Sequence, residues 1–221
     1  SSDKASKALV GLEKEFETDF YTKDVNKISV NDNIAVISII GQDLTNFHKP
    51  YTALIRNKIT PILLNNTVTG RNISLVISQD EFKRALNVIH GEIFGVAKKI
   101  NIAIFGHGTV GGTLISQILE STKNIEKRKG IKLNVFAIAN SKKVLLNKFG
   151  ISENWKATLE DKGQDYKVVD IIAYAKEHHL ENLIAIDNTA SSTFIENYIS
   201  LAENSFDLIS SNKVANTVSY D

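Results

Sequence analysis

Asn101-Ile102-Ala103-Ile104-Phe105-Gly106-His107-Gly108-Thr109-Val110-Gly111-Gly112 is the stretch that decides how this chain is read. An apolar run of strand length leads into G-x-G-x-x-G. Val110, Leu114, Ile115, Ile118 and Leu119 then recur with the spacing of one helical face. Strand, glycine turn and helix is the order that a dinucleotide site requires. Gly106 permits a tight turn, Gly108 lets the backbone approach a pyrophosphate, and Gly111 lets the helix pack close to the strand. The phosphates would then rest on Thr109, Val110 and Gly111, where unpaired N–H groups and the helix dipole favour an anion. The competing reading is a glycine turn that serves packing alone.

Downstream of this turn, strands alternate with helices. Strand Leu133–Ala139, a polar stretch at Asn140–Lys143, a helical region to about Glu160 and a helix near Val168–His179 come first. Strand Leu183–Asp187, helix Thr193–Asn204 and strand Phe206–Ser210 follow. This alternation predicts an α/β fold with a parallel, doubly wound sheet, a partial Rossmann domain holding the first nucleotide-binding half and the start of the second. Ligands of such sheets lie beyond the carboxyl ends of the strands, so Asp187–Ser192 and Ser211-Asn212-Lys213 should share a crevice with the glycine turn. Asp187, Ser191 and Ser192 are equally suited to capping the next helix. Lys213 is a candidate to orient a carbonyl or carboxylate or to transfer a proton, against the alternative of a solvated lysine. The pair His178-His179 ends a helix and suits its dipole better than a metal.

A site for NAD expects Asp or Glu after the second strand, to bind the ribose hydroxyls. This chain has Asn140-Ser141-Lys142-Lys143 there. Neutral and basic groups can accept a 2′-phosphate, which leaves NADP and NAD both open. Lys142 and Lys143 read equally well as a solvated helix start.

Upstream, residues 4–21 are charged and helix-prone, with Ala5, Leu9, Leu12, Phe16 and Phe20 on one stripe that must pack on something. Residues 28–94 then read as strand Ile34–Ile40, helix Phe47–Asn57, strands Ile59–Leu64 and Asn72–Ile77 joined by a turn at Asn65–Gly70, and helix Asp80–Ile93. Phe82, Ala85, Leu86, Ile89 and Ile93 mark the buried face of that last helix. This is most of a ferredoxin-like pattern, an α+β unit without an evident catalytic group. The linker Gly95-Val96-Ala97-Lys98-Lys99 is too short for a free tether.

Composition narrows the functions further. The 221 residues, 43% of them hydrophobic, suffice for two modest cores. A net charge of +1 offers no footprint for nucleic acid or an anionic membrane, and the basic Lys123–Lys132 stretch reads as a solvated helix end. No segment has the apolar length of a membrane span. The absence of cysteine excludes disulfides, thiolate metal sites and cysteine nucleophiles, and is compatible with the cytoplasm. His48 and His90 lack partners at metal spacing, so no metal site is expected. The chain opens at Ser1 and contains no methionine, which reads as a piece of something longer.

Ile102–Gly112, Ala137–Lys142, Ile186–Ser191 and Ser211–Asn216 fall in the order seen in homoserine dehydrogenases, which the second half of the chain resembles. The first half resembles a regulatory ACT domain. Ile34–Gly41 and Arg71-Asn72-Ile73-Ser74 look like the second ACT repeat of the bifunctional aspartokinase–homoserine dehydrogenases. The resemblance implies three parts: the last helix of a preceding ACT repeat over 1–27, an ACT domain over 28–95, and an incomplete NAD(P)-binding dehydrogenase domain over 96–221.

It also implies roles. Gly106, Gly108 and Gly111 would bind the pyrophosphate, Asn140 and Ser141 would border the adenosine, and Thr189 and Ala190 would lie near the nicotinamide. Lys213 would stand near nicotinamide and substrate and assist proton movement. The implied reaction is NAD(P)H-dependent reduction of aspartate 4-semialdehyde to homoserine, with aspartate phosphorylation elsewhere in the whole protein. The family's further catalytic segment lies beyond the fourth strand, so the 221 residues alone would be inactive. An amino-acid effector at the ACT unit and a homo-oligomer are implied too. In that unit Gln42–Pro50 replaces the family's glycine-containing ligand loop, and Asn66 stands where threonine-sensing members carry Gln. Two other readings stay open: a non-catalytic sensor of amino acid and nucleotide, and a reductase of another small aldehyde or keto acid.

Overall fold

The computed structural model describes residues 2–40, 48–66, 72–94 and 98–217. The loop from Gln42 to Phe47, Arg71, the latter part of the Asn65–Gly70 turn and the linker residues Gly95, Val96 and Ala97 lie outside them. The described residues group into two compact units, one drawn from 1–42 and 61–82, the other from 43–60 and 83–221.

The first unit opens with helices α1 (Ser2–Glu15) and α2 (Glu17–Thr22). The single helix expected over 4–21 is broken at Phe16, where φ of −100° and ψ of 20° leave the helical region. Its apolar stripe is not in a core: Leu12 and Phe16 are exposed, and Ala5, Leu9 and Phe20 are only half-buried. Strands β1 (Ile34–Ile40), β2 (Leu63–Asn66) and β3 (Asn72–Ser78) form an antiparallel sheet in the order β1-β3-β2. Register follows the period-two pattern. Ile37 faces Leu75 and Ile39 faces Ile73 on the buried side, while Ser38 and Ser74 share a hydrogen bond of 2.9 Å on the other.

In the second unit, helix α3 (His48–Arg56) ends in a Schellman arrangement. The Ile59 N–H donates to the Leu54 carbonyl, the Lys58 N–H donates to Ile55, and Lys58 adopts φ of 55°. That closure holds Ile59 at the helix end and is why no strand starts there. With Pro61 next, pairing begins only at Leu63. Helix α4 (Phe82–Phe94) follows a 3-10 turn at Gln79–Glu81, so the helix starts later than Asp80. Its buried stripe is Ala85, Val88 and Ile89, whereas Leu86, expected inside, is 44% exposed.

The rest of this unit is a six-stranded sheet. Its strands are β4 (Lys98–Phe105), β5 (Ile131–Ala139), β6 (Lys143–Leu146), β7 (Gln164–Asp165), β8 (Leu183–Asp187) and β9 (Phe206–Ser210), in the order β7-β6-β5-β4-β8-β9. Helices α5 (Thr109–Lys129), α6 (Trp155–Lys162), α7 (Val168–Glu177) and α8 (Tyr198–Glu203) connect them. β5, β4, β8 and β9 run parallel, but β6 pairs antiparallel with β5 and β7 antiparallel with β6. The sheet is therefore mixed, which corrects both the wholly parallel sheet and the helix expected from Lys143 onward. The cause is Asn140. Its Oδ1 accepts the N–H groups of Lys142 and Lys143 and its own N–H donates to the Lys143 carbonyl, so the chain folds back beside β5 with Val144 in the core.

Alternate residues of β4 serve opposite faces. Ile102 and Ile104 pack with Ile115 of α5 and with Trp155 and Leu159 of α6, whereas Ala103 and Phe105 pack with Ile171 and Ala175 of α7 and Leu201 of α8. Both faces of the sheet are covered, the condition under which parallel strands read as continuous apolar runs. Among the described residues, no helix is long and apolar enough to cross a membrane.

Candidate functional site

The register brings four strand ends level. Phe105 pairs with Ala139 of β5 and with Asp187 of β8, and Asp187 pairs with Ser210 of β9. Each ladder continues one residue further, through Gly106 N–H to the Ala139 carbonyl (2.8 Å), Asn188 N–H to Phe105 (2.8 Å) and Ser211 N–H to Asp187 (2.9 Å). Asn140, Gly106, Asn188 and Ser211 therefore begin their loops side by side at the edge where an open α/β sheet binds ligands.

Gly106 turns there with φ of 83°, and a Cβ on it would lie 2.7 Å from the Asn188 carbonyl oxygen. A Cβ at Gly111 would overlap the Gly106 carbonyl itself. These two glycines press helix, turn and neighbouring loop together. Gly108 differs, since a Cβ there would meet no atom within 4 Å. It is the N-cap of α5 and no side chain bonds the free N–H groups of the first turn, while the Gly112 N–H already donates to Gly108. The 21-residue helix thus presents an open, uncapped N-terminus to the crevice.

The crevice is a cavity of about 710 Å³, walled by Gly106, His107 and Gly108, by Asn140 and Ser141, by Tyr166–Val168, and by Asn188–Ser191. Of the residues singled out in the sequence, Gly106, Gly108, Asn140, Ser141, Thr189 and Ala190 line it. Thr109, Val110 and Gly111 form the first turn of α5 beneath it. Val110, expected on the packed face of that helix, is 60% exposed. Lys142 lines a second cavity of about 370 Å³ next to the glycine turn. Lys213 opens the 3-10 turn Lys213–Asn216, is exposed, and lines neither of these cavities.

Asp187 does not cap a helix. Buried at 2% exposure, it accepts the Thr189 N–H (2.8 Å), the Tyr198 hydroxyl (2.8 Å) and Asn212 Nδ2 (3.3 Å). Ser191 is not the N-cap either, which is Thr193; its hydroxyl closes the turn ahead of the 3-10 helix Phe194–Asn197 by accepting the N–H groups of Thr193 and Phe194. Burial pushes the Tyr198 hydroxyl up from its usual range, against the Ser210 hydrogen bond and with help from Asp187. Tyr166, raised by burial too, donates to the Asn140 carbonyl at 2.8 Å and fixes the Asn140 end of the crevice.

Sequence reasoning passed over His107, Asn188, Tyr166, Trp155 and Asn212. Among the described residues, His107 Nε2 and Asn188 Nδ2 are buried with no hydrogen-bond partner, and both residues wall the crevice. His107 stands edge-on to Trp155 with ring centres 5.3 Å apart. Asn212 was visible only as the neighbour of Lys213. Its Nδ2 also reaches the Ser191 carbonyl, and its Oδ1 accepts the Val214 N–H. His178-His179 ends α7, with His179 at φ of 51° and its N–H on the Lys176 carbonyl. Among the described residues no cluster suited to a metal occurs.

A dinucleotide fits these residues. The glycine cradle leaves room where Gly108 lacks a side chain, and the helix offers free N–H groups to the same space.

Comparison with known proteins agrees. A family model described as the NAD binding domain of homoserine dehydrogenase matches residues 106–221. The bifunctional aspartokinase/homoserine dehydrogenase of Buchnera aphidicola is 31% identical over 217 residues, covering 96% of this chain and 26% of that protein. The protein of the same name from Haemophilus influenzae is 28% identical over 218 residues, covering 96% and 27%. A crystal structure of homoserine dehydrogenase from Thermoplasma acidophilum aligns with TM-score 0.43 and 17% identity over 53% of this chain and 36% of that one. The chain spans about a quarter of the length of the curated relatives it matches. It belongs to the homoserine dehydrogenase family, whose NAD binding domain model matches from the glycine turn onward.

Proposed function

We propose that the crevice binds NADP or NAD, and that the whole protein of which these residues are part reduces aspartate 4-semialdehyde to homoserine and phosphorylates aspartate. The carrying observation is the glycine cradle: closed by protein at Gly106 and Gly111, open at Gly108, and flanked by His107 and Asn188. The pyrophosphate would rest on the N–H groups of Thr109, Val110 and Gly111. Asn140, Ser141 and Lys142 would border the adenosine ribose, and Thr189 and Ala190 would run along the nicotinamide end. The bound dinucleotide supplies or accepts the hydride. Asn212 would hold the Thr189 loop in place, and Lys213 would assist proton movement at the substrate oxygen.

The test is Gly108→Ala in calorimetric titrations with NADP and NAD. A methyl group there meets no protein atom, so folding should be unchanged while dinucleotide affinity falls at least about tenfold, because the added group occupies ligand space. Unchanged affinity would refute the cradle. The 221 residues alone should bind cofactor without turning over the semialdehyde, which a turnover assay on them checks.

The first half is read as an ACT regulatory domain over 28–95, preceded over 1–27 by the last helix of another repeat. In support are the order strand, helix, strand, strand, helix and the sheet order β1-β3-β2. Its ligand would be an amino-acid effector, and threonine titration tests it. Val36 and Ile40 on the open face of β1 are 58% and 69% exposed, which suits pairing with a second copy in a homo-oligomer. Light scattering that shows a monomer at every concentration would count against that. A cytoplasmic location is part of this reading, compatible with a chain that has no cysteine.

A further inference from the structure

Three elements of the second unit bring their cations to one place, at the opposite end of β4 from the glycine turn. Arg56 lies in the last turn of α3, Lys127, Arg128 and Lys129 lie in the last turn of α5, and β4 opens with Lys98-Lys99. The Lys98 N–H donates at 2.7 Å to the carbonyl of Gly130, which closes α5, and Lys99 pairs with Lys132 in the register of β4 and β5. Helix dipoles account for cations at the ends of α3 and α5. They do not account for Lys98 at the start of a strand, nor for the space between these elements.

That space is a cavity of about 420 Å³, with Arg56, Asn57, Asn87, Gly91, Lys98 and Asn182 in its wall. Its frame is fixed by amides. Asn57 is buried, the Asn182 N–H donates to Asn57 Oδ1 at 2.7 Å, and Asn182 Nδ2 donates to the Lys99 carbonyl at 2.9 Å. Arg56 and Lys98 are exposed, and among the described residues their side chains make no hydrogen bond or ion pair. Lys99 also borders the cavity but spends its Nζ on the Lys148 carbonyl at 3.2 Å. The carboxylates of the wall are Glu92, exposed on α4, and Glu181, which burial makes hold its proton to higher pH than an ordinary carboxyl. Three cations thus face two carboxylates, and two of the cations are free. A Cβ at Gly91 would meet no atom within 4 Å. Glycine inside a helix is less stable than alanine, and here it leaves the cavity open.

We propose that this cavity binds a small oxyanion of two or more negative charges, a phosphate or a polycarboxylate, between Arg56 and Lys98. The guanidinium fork of Arg56 matches two oxygens of such a group, and Lys98 adds a point charge. Asn87 offers an amide donor from α4. The site is separate from the dinucleotide crevice and stands whether or not that crevice binds a cofactor.

The test is calorimetric titration of the 221-residue chain with inorganic phosphate, with citrate and, as a monovalent control, with acetate, all at one ionic strength. Phosphate or citrate should bind at a single site and raise the melting temperature, and acetate should do neither. Whichever of the two binds more tightly tells a phosphate site from a polycarboxylate site. Arg56→Gln and Lys98→Gln, both on exposed side chains, should each weaken binding at least about tenfold. Gly91→Leu fills space without changing charge and should weaken it as much, while melting as cooperatively as the parent. Lys123→Gln, outside the wall, should change nothing. Failure of both phosphate and citrate to bind would overturn the proposal. So would binding that survives Arg56→Gln and Lys98→Gln, since the anion then sits elsewhere, the glycine cradle included. Loss in the charge variants without loss in Gly91→Leu would overturn it too, by marking a charged surface rather than a cavity.

Discussion

Asn212 Nδ2 donates to the Asp187 carboxylate at 3.3 Å and so ties the loop after β9 to the loop after β8. The same carboxylate accepts the Thr189 N–H and the Tyr198 hydroxyl. Asp187→Ala would strand these donors in a buried site. We expect a loss of about 3 kcal/mol in urea denaturation, at the upper end for unsatisfied buried groups. Asn212→Ala removes one of the three and also frees the Ser191 carbonyl and the Val214 N–H, and should cost about 2 kcal/mol. If Asn212 positions Thr189 for the nicotinamide end, its removal should weaken NADP more than ADP, a difference that a purely structural role would not produce.

Gly111 and Gly108 separate folding from binding within one motif. A Cβ at 111 meets the Gly106 backbone carbonyl, which cannot rotate aside as a side chain can. Gly111→Ala should cost about 3 kcal/mol, as strong overpacking does, and lower the melting temperature by roughly 10 °C for a chain of this size. Gly108→Ala should leave the melting temperature in place. Equal thermal losses in the two variants would mean that the cradle is not built as described.

Asn101 and Asn134 are buried in neighbouring strands, joined by Asn134 Nδ2 donating to Asn101 Oδ1 at 2.8 Å. Asn101 Nδ2 donates in turn to the Glu181 carbonyl at 2.6 Å, and Asn134 also reaches the Lys148 carbonyl. Either asparagine replaced by Leu should destabilise by about 2–3 kcal/mol, because its former partners stay buried and unpaired. The double replacement should cost less than the sum of the two, since each already breaks the shared bond.

The parallel half of the second unit was legible from residues alone. Leu183–Asp187 begins and ends where its apolar run does, because a strand covered on both faces leaves no other pattern, while the edge strand Phe206–Ser210, buried only at Phe206, was read from its place after a helix in the alternation. The turn after β5 was not. Asn140 next to Ser141, Lys142 and Lys143 has the look of a helix start, and only its bonds to the backbone N–H groups of Lys142 and Lys143 reverse the chain. The strand expected at Ile59 failed for a similar reason, since a Lys at φ of 55° closing a helix has no sequence signature as strong as glycine. In the site, glycine spacing pointed to the cradle. The partners that give it chemistry, His107 with Trp155 and Asp187 with Asn212, are brought together by the fold from distant positions or bond in ways that spacing does not encode.

Glu181 gives a prediction in pH. Burial raises its carboxyl above the ordinary value of 4.5, and this outweighs the opposing pull of its own backbone hydrogen bond and of Lys99 and Arg84. Lys99 is shifted the other way, downward, also chiefly by burial, so desolvation exceeds mutual attraction at both groups. The folded protein therefore holds the Glu181 proton more tightly than the unfolded chain. Stability from this group is complete below the unfolded value and is lost as pH rises through the raised folded value. Glu181→Gln keeps the shape and removes the buried charge. The variant should be more stable than its parent at pH 7, with the gap closing toward pH 4, as followed by thermal melts across that range. A variant less stable at pH 7 would show instead that attraction to Lys99 and Arg84 governs the site.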